Sequence, residues 1–119
     1  LSVTFADGSR LDGLSSVLVT RVRNFGGVAW LPRGIDVDDG RLHVLCFRQR
    51  SRLVWLWQGL RAVCGRMRPG PRLLVRTTTG VRIDGAAPFQ IDGDFGGESP
   101  VAIELEPTPV RVLVPAPRA

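Results

Sequence analysis

Apolar and polar residues alternate along short stretches of this chain, and most of these stretches end at a glycine-containing turn. Alternation with a period of two is the pattern of a β-strand with one buried face. The stretches with this pattern are residues 2–5, 17–22, 28–31, 41–47, 73–78, 81–84, 89–91 and 101–105. Many short strands separated by turns such as Asp7-Gly8 and Asp84-Gly85 predict a mainly β fold, a two-layer antiparallel β-sandwich.

One segment, about residues 51–66, has the period of an amphipathic helix instead. Its large apolar residues recur at intervals of three and four, which predicts a stripe along one helix face. The stripe consists of Leu53, Leu56, Trp57, Leu60, Val63 and Cys64. We expect this stripe to pack on the core of the sandwich. Ser51 suits the N-cap, and Gly65 with the following Pro69-Gly70-Pro71 cluster ends the helix.

Trp55 falls on the polar side of the predicted helix, about 160° from Trp57 at ~100° per residue. An indole on that side indicates either an interface, with a domain, a partner or lipid headgroups, or a single exposed tryptophan without consequence. His43 is the only histidine. With no partner at ligand spacing, it is predicted to be a partly buried strand residue rather than a ligand or base.

The chain of 119 residues has the length of a single domain, here residues 1–119. No run reaches the ~18 apolar residues of a membrane span, and no secretory leader is visible. Because Leu1 already lies in a strand pattern, we expect the chain to be a piece of a longer protein. Cys46 and Cys64 lack CxxC spacing and are predicted to be buried free thiols, which fits a cytoplasmic protein.

The formal charge is +5, and all sixteen basic residues are arginine. The arginines are scattered, and there is no tyrosine to stack on bases, so the sequence argues against a nucleic-acid partner. Attraction to an anionic membrane surface is in better agreement with this composition. We therefore expect a cytoplasmic protein that is at most peripheral to a membrane.

Two carboxylate-rich turns are the candidate sites. Residues 36–41 hold three aspartates beside Gly40, and residues 89–100 place Asp92, Asp94 and Glu98 with three glycines in an expected loop between two strands. In the turn of residues 36–41, crowded carboxylates and carbonyls can supply oxygen ligands to Mg²⁺ or Ca²⁺. The alternative for both segments is a plain hairpin turn with solvated acids.

The order of these motifs resembles the C-terminal domain of the diacylglycerol kinase-like lipid kinases, a family that includes bacterial lipid kinases and is related to sphingosine kinases. The downstream match is residues 90–94 (Gln-Ile-Asp-Gly-Asp), then Ser99-Pro100, the apolar strand 101–105, and a final strand at residues 110–115. The upstream match is Pro32 followed by residues 38–42 (Asp-Asp-Gly-Arg-Leu), preceded by Asn24, Gly26 and Gly27. The sandwich that this resemblance implies agrees with the strand pattern.

The resemblance implies a structural Mg²⁺ in the upstream turn. Carried over by position, Asp39 is the side-chain ligand, and Asp36 and Arg41 are the carbonyl ligands. It also implies that Asp94 is the base that takes the proton from a lipid hydroxyl, with Asp92 and Gly93 shaping its loop. The family has a glutamate in the place of Asp94, so the carboxylate here is one methylene shorter and would reach about an ångström less far.

The family binds ATP and its Mg²⁺ through an N-terminal domain with a Gly-Gly-Asp-Gly-Thr phosphate loop. No such segment, and no GxxxxGK[ST] or GxGxxG loop, occurs in these 119 residues. The resemblance therefore implies the substrate-side domain of an ATP-dependent kinase acting on a lipid hydroxyl such as that of diacylglycerol, inactive without its nucleotide-binding domain. The alternative is a non-catalytic sandwich domain that serves in interaction or regulation.

Overall fold

The computed structural model describes residues 1–116 as eleven short strands and one α-helix. The helix α1 spans Arg52–Val63, and a 3-10 turn covers Val37–Asp39. The strands are β1 (Ser2–Phe5), β2 (Arg10–Leu11), β3 (Ser16–Thr20), β4 (Asn24–Phe25), β5 (Ala29–Trp30), β6 (Leu42–Phe47), β7 (Leu73–Thr78), β8 (Gly80–Asp84), β9 (Pro88–Ile91), β10 (Asp94–Glu98) and β11 (Val101–Glu104).

Two antiparallel sheets face each other across the main core. The first has the strand order β11-β8-β1-β2, and the second has the order β3-β6-β7. Val3 and Phe5 pair with Ile83 and Val81 in the first sheet. These four side chains are buried in one hydrophobic cluster. Leu42, Val44 and Cys46 of β6, in the second sheet, belong to the same cluster. The mainly β fold with two packed antiparallel sheets is thus confirmed.

The helix covers the outer face of the second sheet. Leu45 and Phe47 alternate with the residues of the first core, so they point to the other side of β6. There they pack with Leu73 of β7 and with Trp55 and Ala62 of α1. The molecule therefore has three layers: the first sheet, the second sheet and the helix. All six residues of β6 are buried, because this strand is covered on both faces. The period-two alternation of residues 41–47 is thus confirmed, and both faces of the strand are buried.

The predicted orientation of the helix was wrong. The residues of α1 turned to the sheet are Trp55, Gln58 and Ala62, and the ring of Trp55 lies 4.9 Å from that of Phe47. The apolar stripe expected in the core is exposed instead. The small Ala62 lets the helix backbone approach the sheet, and Trp55 fills the space above Phe47. Ser51 occupies the N-cap position, but its hydroxyl makes no capping hydrogen bond.

Two further expectations were also wrong. Residues 107–116 form no strand, and the side chains of Val110 to Val114 that the motif places in a final strand are exposed. Both cysteines are free, but only Cys46 is buried, and Cys64 is exposed. Among the described residues, no helix has the length and apolar character needed to cross a membrane.

Candidate functional site

The segment around Asp94 is a β-hairpin, and residues 94–98, which the sequence analysis placed in a loop, form its second strand. Asp92 and Gly93 both have positive φ, 50° and 93°, and form the two-residue turn between β9 and β10. Two positive φ values in a row are what a type I′ turn requires, which is why an Asp-Gly pair occurs here. Asp94 pairs with Ile91 directly after the turn.

A bulge shapes the rest of this hairpin. The register shifts between Phe95 and Gly97, and a side chain at Gly96 would put a Cβ 2.5 Å from Cε2 of Phe89. Gly96 therefore allows the Phe89 ring to lie across β10. At the base, the Ser99 hydroxyl accepts a hydrogen bond from Ala87 N at 3.0 Å and contacts the Gly85 carbonyl. The hairpin is thus held at its base and projects beyond the sandwich.

Asp94 lies near the tip of this projection with its side chain exposed. Among residues 1–116 its carboxylate has no hydrogen-bonded or ion-paired partner. The neighbouring apolar side chains are also open to solvent, Ile91 at 62% and Phe95 at 73%. A free carboxylate next to an apolar surface can accept a proton from an alcohol on an apolar molecule, provided that a second surface holds that alcohol in place.

The second candidate site is the turn of residues 36–41, which closes on itself. The Asp36 carboxylate accepts a hydrogen bond from Asp38 N at 3.0 Å and so caps the 3-10 turn. Gly40 has φ of 65°, and Arg41 N then donates to the Asp39 carboxylate at 2.8 Å. Both acids hold backbone N–H groups of their own turn, which is the common role of aspartate in such segments.

His43 is the functional candidate that the sequence reasoning missed. It is only 1% exposed, and its Nε2 lies 2.8 Å from Oδ2 of Asp39. The Asp36 N–H is 3.5 Å from the same nitrogen, but Nε2 has a single hydrogen site and donates it to the closer carboxylate. The sequence feature that indicates this contact is the spacing of four residues between Asp39, in the turn, and His43, in the strand that follows.

Whether this turn can bind Mg²⁺ depends on which carboxylate oxygens of Asp39 already accept hydrogen bonds. Oδ1 already accepts from Arg41 N, and Oδ2 already accepts from His43. A guanidinium nitrogen of Arg21 donates to the Val37 carbonyl, which adds a positive charge to the turn. Residues 1–116 contain no cluster of three or more His, Cys, Asp or Glu groups arranged for a metal. Mg²⁺ would share Asp39 with these donors, and its binding through Asp39, Asp36 and Arg41 stays a prediction.

The two candidate sites lie at opposite ends of the sandwich. The turn of residues 36–41 leads into Leu42, which pairs with Thr78 just before β8 begins. The Asp94 hairpin follows Asp84, at the far end of β8. The length of β8 separates them, on the order of 15 Å at 3.3 Å per residue. The Asp39 turn therefore cannot place a metal beside Asp94, and any role it has at Asp94 is structural.

Comparison with known proteins adds no family to these observations. The chain matches no protein-family model and no curated protein sequence. The resemblance to the lipid kinases rests on the two motifs and their order alone, and it stays a prediction.

Proposed function

We propose that this chain is the substrate-side domain of an ATP-dependent lipid kinase and that Asp94 is the base that deprotonates the lipid hydroxyl. The observation that carries the proposal is the Asp94 hairpin. It combines an exposed carboxylate that has no partner among residues 1–116 with two exposed apolar side chains, Ile91 and Phe95, on a projection anchored by Ser99. This combination is suited to a lipid alcohol, whose reacting group is polar and whose body is apolar.

The proposed reaction needs one proton acceptor from this domain. As the lipid oxygen bonds to the transferred phosphorus, its proton passes to Asp94, and the bond from that phosphorus to the leaving nucleotide diphosphate breaks. A nucleotide-binding domain facing the Asp94 hairpin would hold the phosphates. That domain also supplies the second surface without which an exposed carboxylate cannot hold the hydroxyl in position.

The test is phosphate transfer from labelled ATP to lipid alcohols in vesicles, using the natural full-length product that contains this domain. We expect Asp94→Asn to lower kcat by at least about a hundredfold, because general-base catalysis typically contributes 10²–10⁴-fold. Asp92→Asn is the matched control. It removes the same charge two residues away, and asparagine tolerates the positive φ of the turn, so activity should be kept.

Asp94→Glu restores the length of the side chain found in the resembled family, and it should retain activity. If the folded wild-type protein labels no lipid, or if Asp94→Asn and Asp92→Asn behave alike, the proposed base is wrong.

The second candidate function is a non-catalytic sandwich domain used in interaction or regulation. It is favoured by the exposure of Asp94, because no charged or hydrogen-bonding group of the described residues holds this carboxylate in position for catalysis. This alternative predicts a full-length product that folds, carries the hairpin and transfers no phosphate to any lipid alcohol. The labelling experiment therefore decides between the two functions.

A further inference from the structure

The apolar stripe of α1 is an exposed surface that neither the sandwich nor the Asp94 hairpin explains. Five large side chains lie along it with between 53% and 77% of their surface exposed: Leu53, Leu56, Trp57, Leu60 and Val63. At ~100° per residue these positions span an arc of about 120° centred opposite Trp55, Gln58 and Ala62. The helix thus presents an apolar ridge about 15 Å long, directed away from the protein.

Positive charge surrounds this ridge. Arg52 and Arg61 fall on its two sides along the helix, and Arg66 and Arg68 follow its C-terminal end. Three of these arginines line an open groove of about 420 Å³ together with ridge residues; the lining is Trp57, Leu60, Arg61, Cys64, Arg66 and Arg68. None of these arginines forms an ion pair with a described residue.

The sequence around the ridge carries no compensating negative charge. Ten of the sixteen arginines and none of the eleven acidic residues lie between residues 41 and 83. This segment includes α1, β7 and the connection between them. Whatever covers the ridge must therefore be apolar at its centre and anionic at its edge.

We propose that α1 docks the protein on the surface of an anionic phospholipid bilayer. The ridge would enter the boundary between headgroups and acyl chains, and the arginines would contact lipid phosphates. Arginine is the side chain best suited to these phosphates because its planar guanidinium can bind two oxygens at once. Trp57 on the ridge and the half-exposed Trp30, beside Gly65 at the end of the helix, have the amphipathic rings enriched at membrane interfaces.

The shape and charge of the ridge favour a bilayer over three alternatives: a second copy of the chain, residues 107–116 and a protein partner. A second copy docked through the same face would bring two arginine rims together. Residues 107–116 are apolar and exposed, but they contain no carboxylate to balance the arginines. A protein partner would need a groove that matches a convex ridge, whereas a fluid bilayer deforms around it.

This inference does not depend on Asp94 or on phosphate transfer. Vesicle binding is measured without ATP, so its failure and the failure of the proposed kinase function are separate results. The face that would dock, α1, is also a different surface from the Asp94 hairpin.

The experiment is co-sedimentation of the full chain with vesicles of phosphatidylcholine alone or of equal parts phosphatidylcholine and phosphatidylserine. We expect binding only to the anionic vesicles, and weaker binding as salt shortens the Debye length. The double variant Arg66→Gln, Arg68→Gln should weaken binding by about 10- to 30-fold, from the contribution of each arginine near an anionic surface. The double variant Leu56→Asn, Leu60→Asn should weaken it by at least about tenfold.

Two single-residue control variants make the same kinds of change on other faces. Arg82→Gln removes one arginine from the outer sheet, opposite the helix, and Leu113→Asn changes a fully exposed leucine outside α1. Both should bind vesicles as the wild type does. Because all the changed side chains are on the surface, circular dichroism and Tm should stay unchanged throughout.

A second measurement locates the contact. Lipids with brominated acyl chains should quench the tryptophan emission of the wild type, and Trp57→Phe should remove the part of this quenching that comes from the ridge, leaving only the part from Trp30 at its end. The proposal is overturned if the folded wild type does not bind, or if the α1 variants bind like the controls. Three other results would overturn it by showing a different occupant of the ridge. A dimer in sedimentation that Leu60→Asn dissociates would indicate a second copy, and exposure of Trp57 by Leu113→Asn would indicate residues 107–116. Shielding of Trp57 in the natural full-length product without lipid would indicate another part of that protein.

Discussion

At the scale of single residues, the pair of Asp39 and His43 shows how one carboxylate can serve two different roles. The imidazole is buried at the start of β6, and the 2.8 Å contact with Asp39 gives its Nε2 hydrogen a partner that it would otherwise lack. A buried donor without a partner costs about 1–3 kcal/mol. Asp39 is therefore needed for stability even if no metal binds.

The two roles of Asp39 make different predictions for added Mg²⁺. If Asp39, with the carbonyls of Asp36 and Arg41, holds a structural Mg²⁺ as the motif implies, saturating Mg²⁺ should raise Tm in the wild type and not in Asp39→Asn. If Asp39 only serves His43 and Arg41, Mg²⁺ should leave Tm unchanged in both proteins. Thermal unfolding with Mg²⁺ or with a chelator distinguishes these outcomes, and Asp38→Asn, which removes a neighbouring charge, is the control.

At the scale of elements, α1 carries apolar residues on almost every side, so its sequence contains two possible buried faces. The stripe that helical periodicity selects is longer and more apolar than the face formed by Trp55, Gln58 and Ala62. The sheet nevertheless takes the shorter face, because Phe47 and Leu73 offer a surface that fits one ring and one small residue. Periodicity identified the helix, but the shape of its neighbours decided its rotation.

Two tryptophans separated by one residue test this rotation. Trp55→Ala should lower the free energy of unfolding by about 2–4 kcal/mol, because it removes a ring packed on Phe47 and leaves a cavity. Trp57→Ala should change it by less than about 0.5 kcal/mol, because the ring is 59% exposed. Urea unfolding of both variants gives the comparison. If Trp57→Ala lowers the free energy of unfolding as much as Trp55→Ala or more, the orientation predicted from the sequence is correct.

At the scale of the whole molecule, one strand joins the two cores. β6 sends Leu42, Val44 and Cys46 toward the first sheet and Leu45 and Phe47 toward the helix. Burial on this strand raises the pKa of the Cys46 thiol from 9.0 to about 11, against the smaller opposing effects of Arg48 and Arg76. The thiol of Cys46 therefore reports on the opening of the entire sandwich.

Thiol labelling should separate the two cysteines. At neutral pH a thiol reagent should modify exposed Cys64 quickly, and Cys46 only at the rate of global opening, since its thiolate is scarce and buried. Because the folded pKa is raised, the contribution of Cys46 to stability is complete below pH 9 and is lost between pH 9 and pH 11. Cys46→Ser should abolish the slow labelling phase. Rapid modification of two thiols in the folded wild type would show that β6 is not closed on both faces.

Much of the candidate site followed from local rules. The turn at Asp92-Gly93 is one example, because only a few residues accept two positive φ values in succession. The hairpin strand β10 was missed, since its glycines at 96 and 97 and its acids have low strand propensity. Its pairing with β9 depends on the Phe89 ring lying over Gly96, a contact that composition does not reveal.

The sequence by itself determined most of the strands, the helix, many of the turns between them and the alternation of side chains along β6. These follow from periods of 2 and 3.6 residues and from backbone preferences that act within a few positions. Only the tertiary structure decided which face of α1 is buried, that Asp39 meets His43, and that the two carboxylate turns lie at opposite ends. These outcomes depend on the shapes of surfaces brought together from distant parts of the chain, and such complementarity has no local signature.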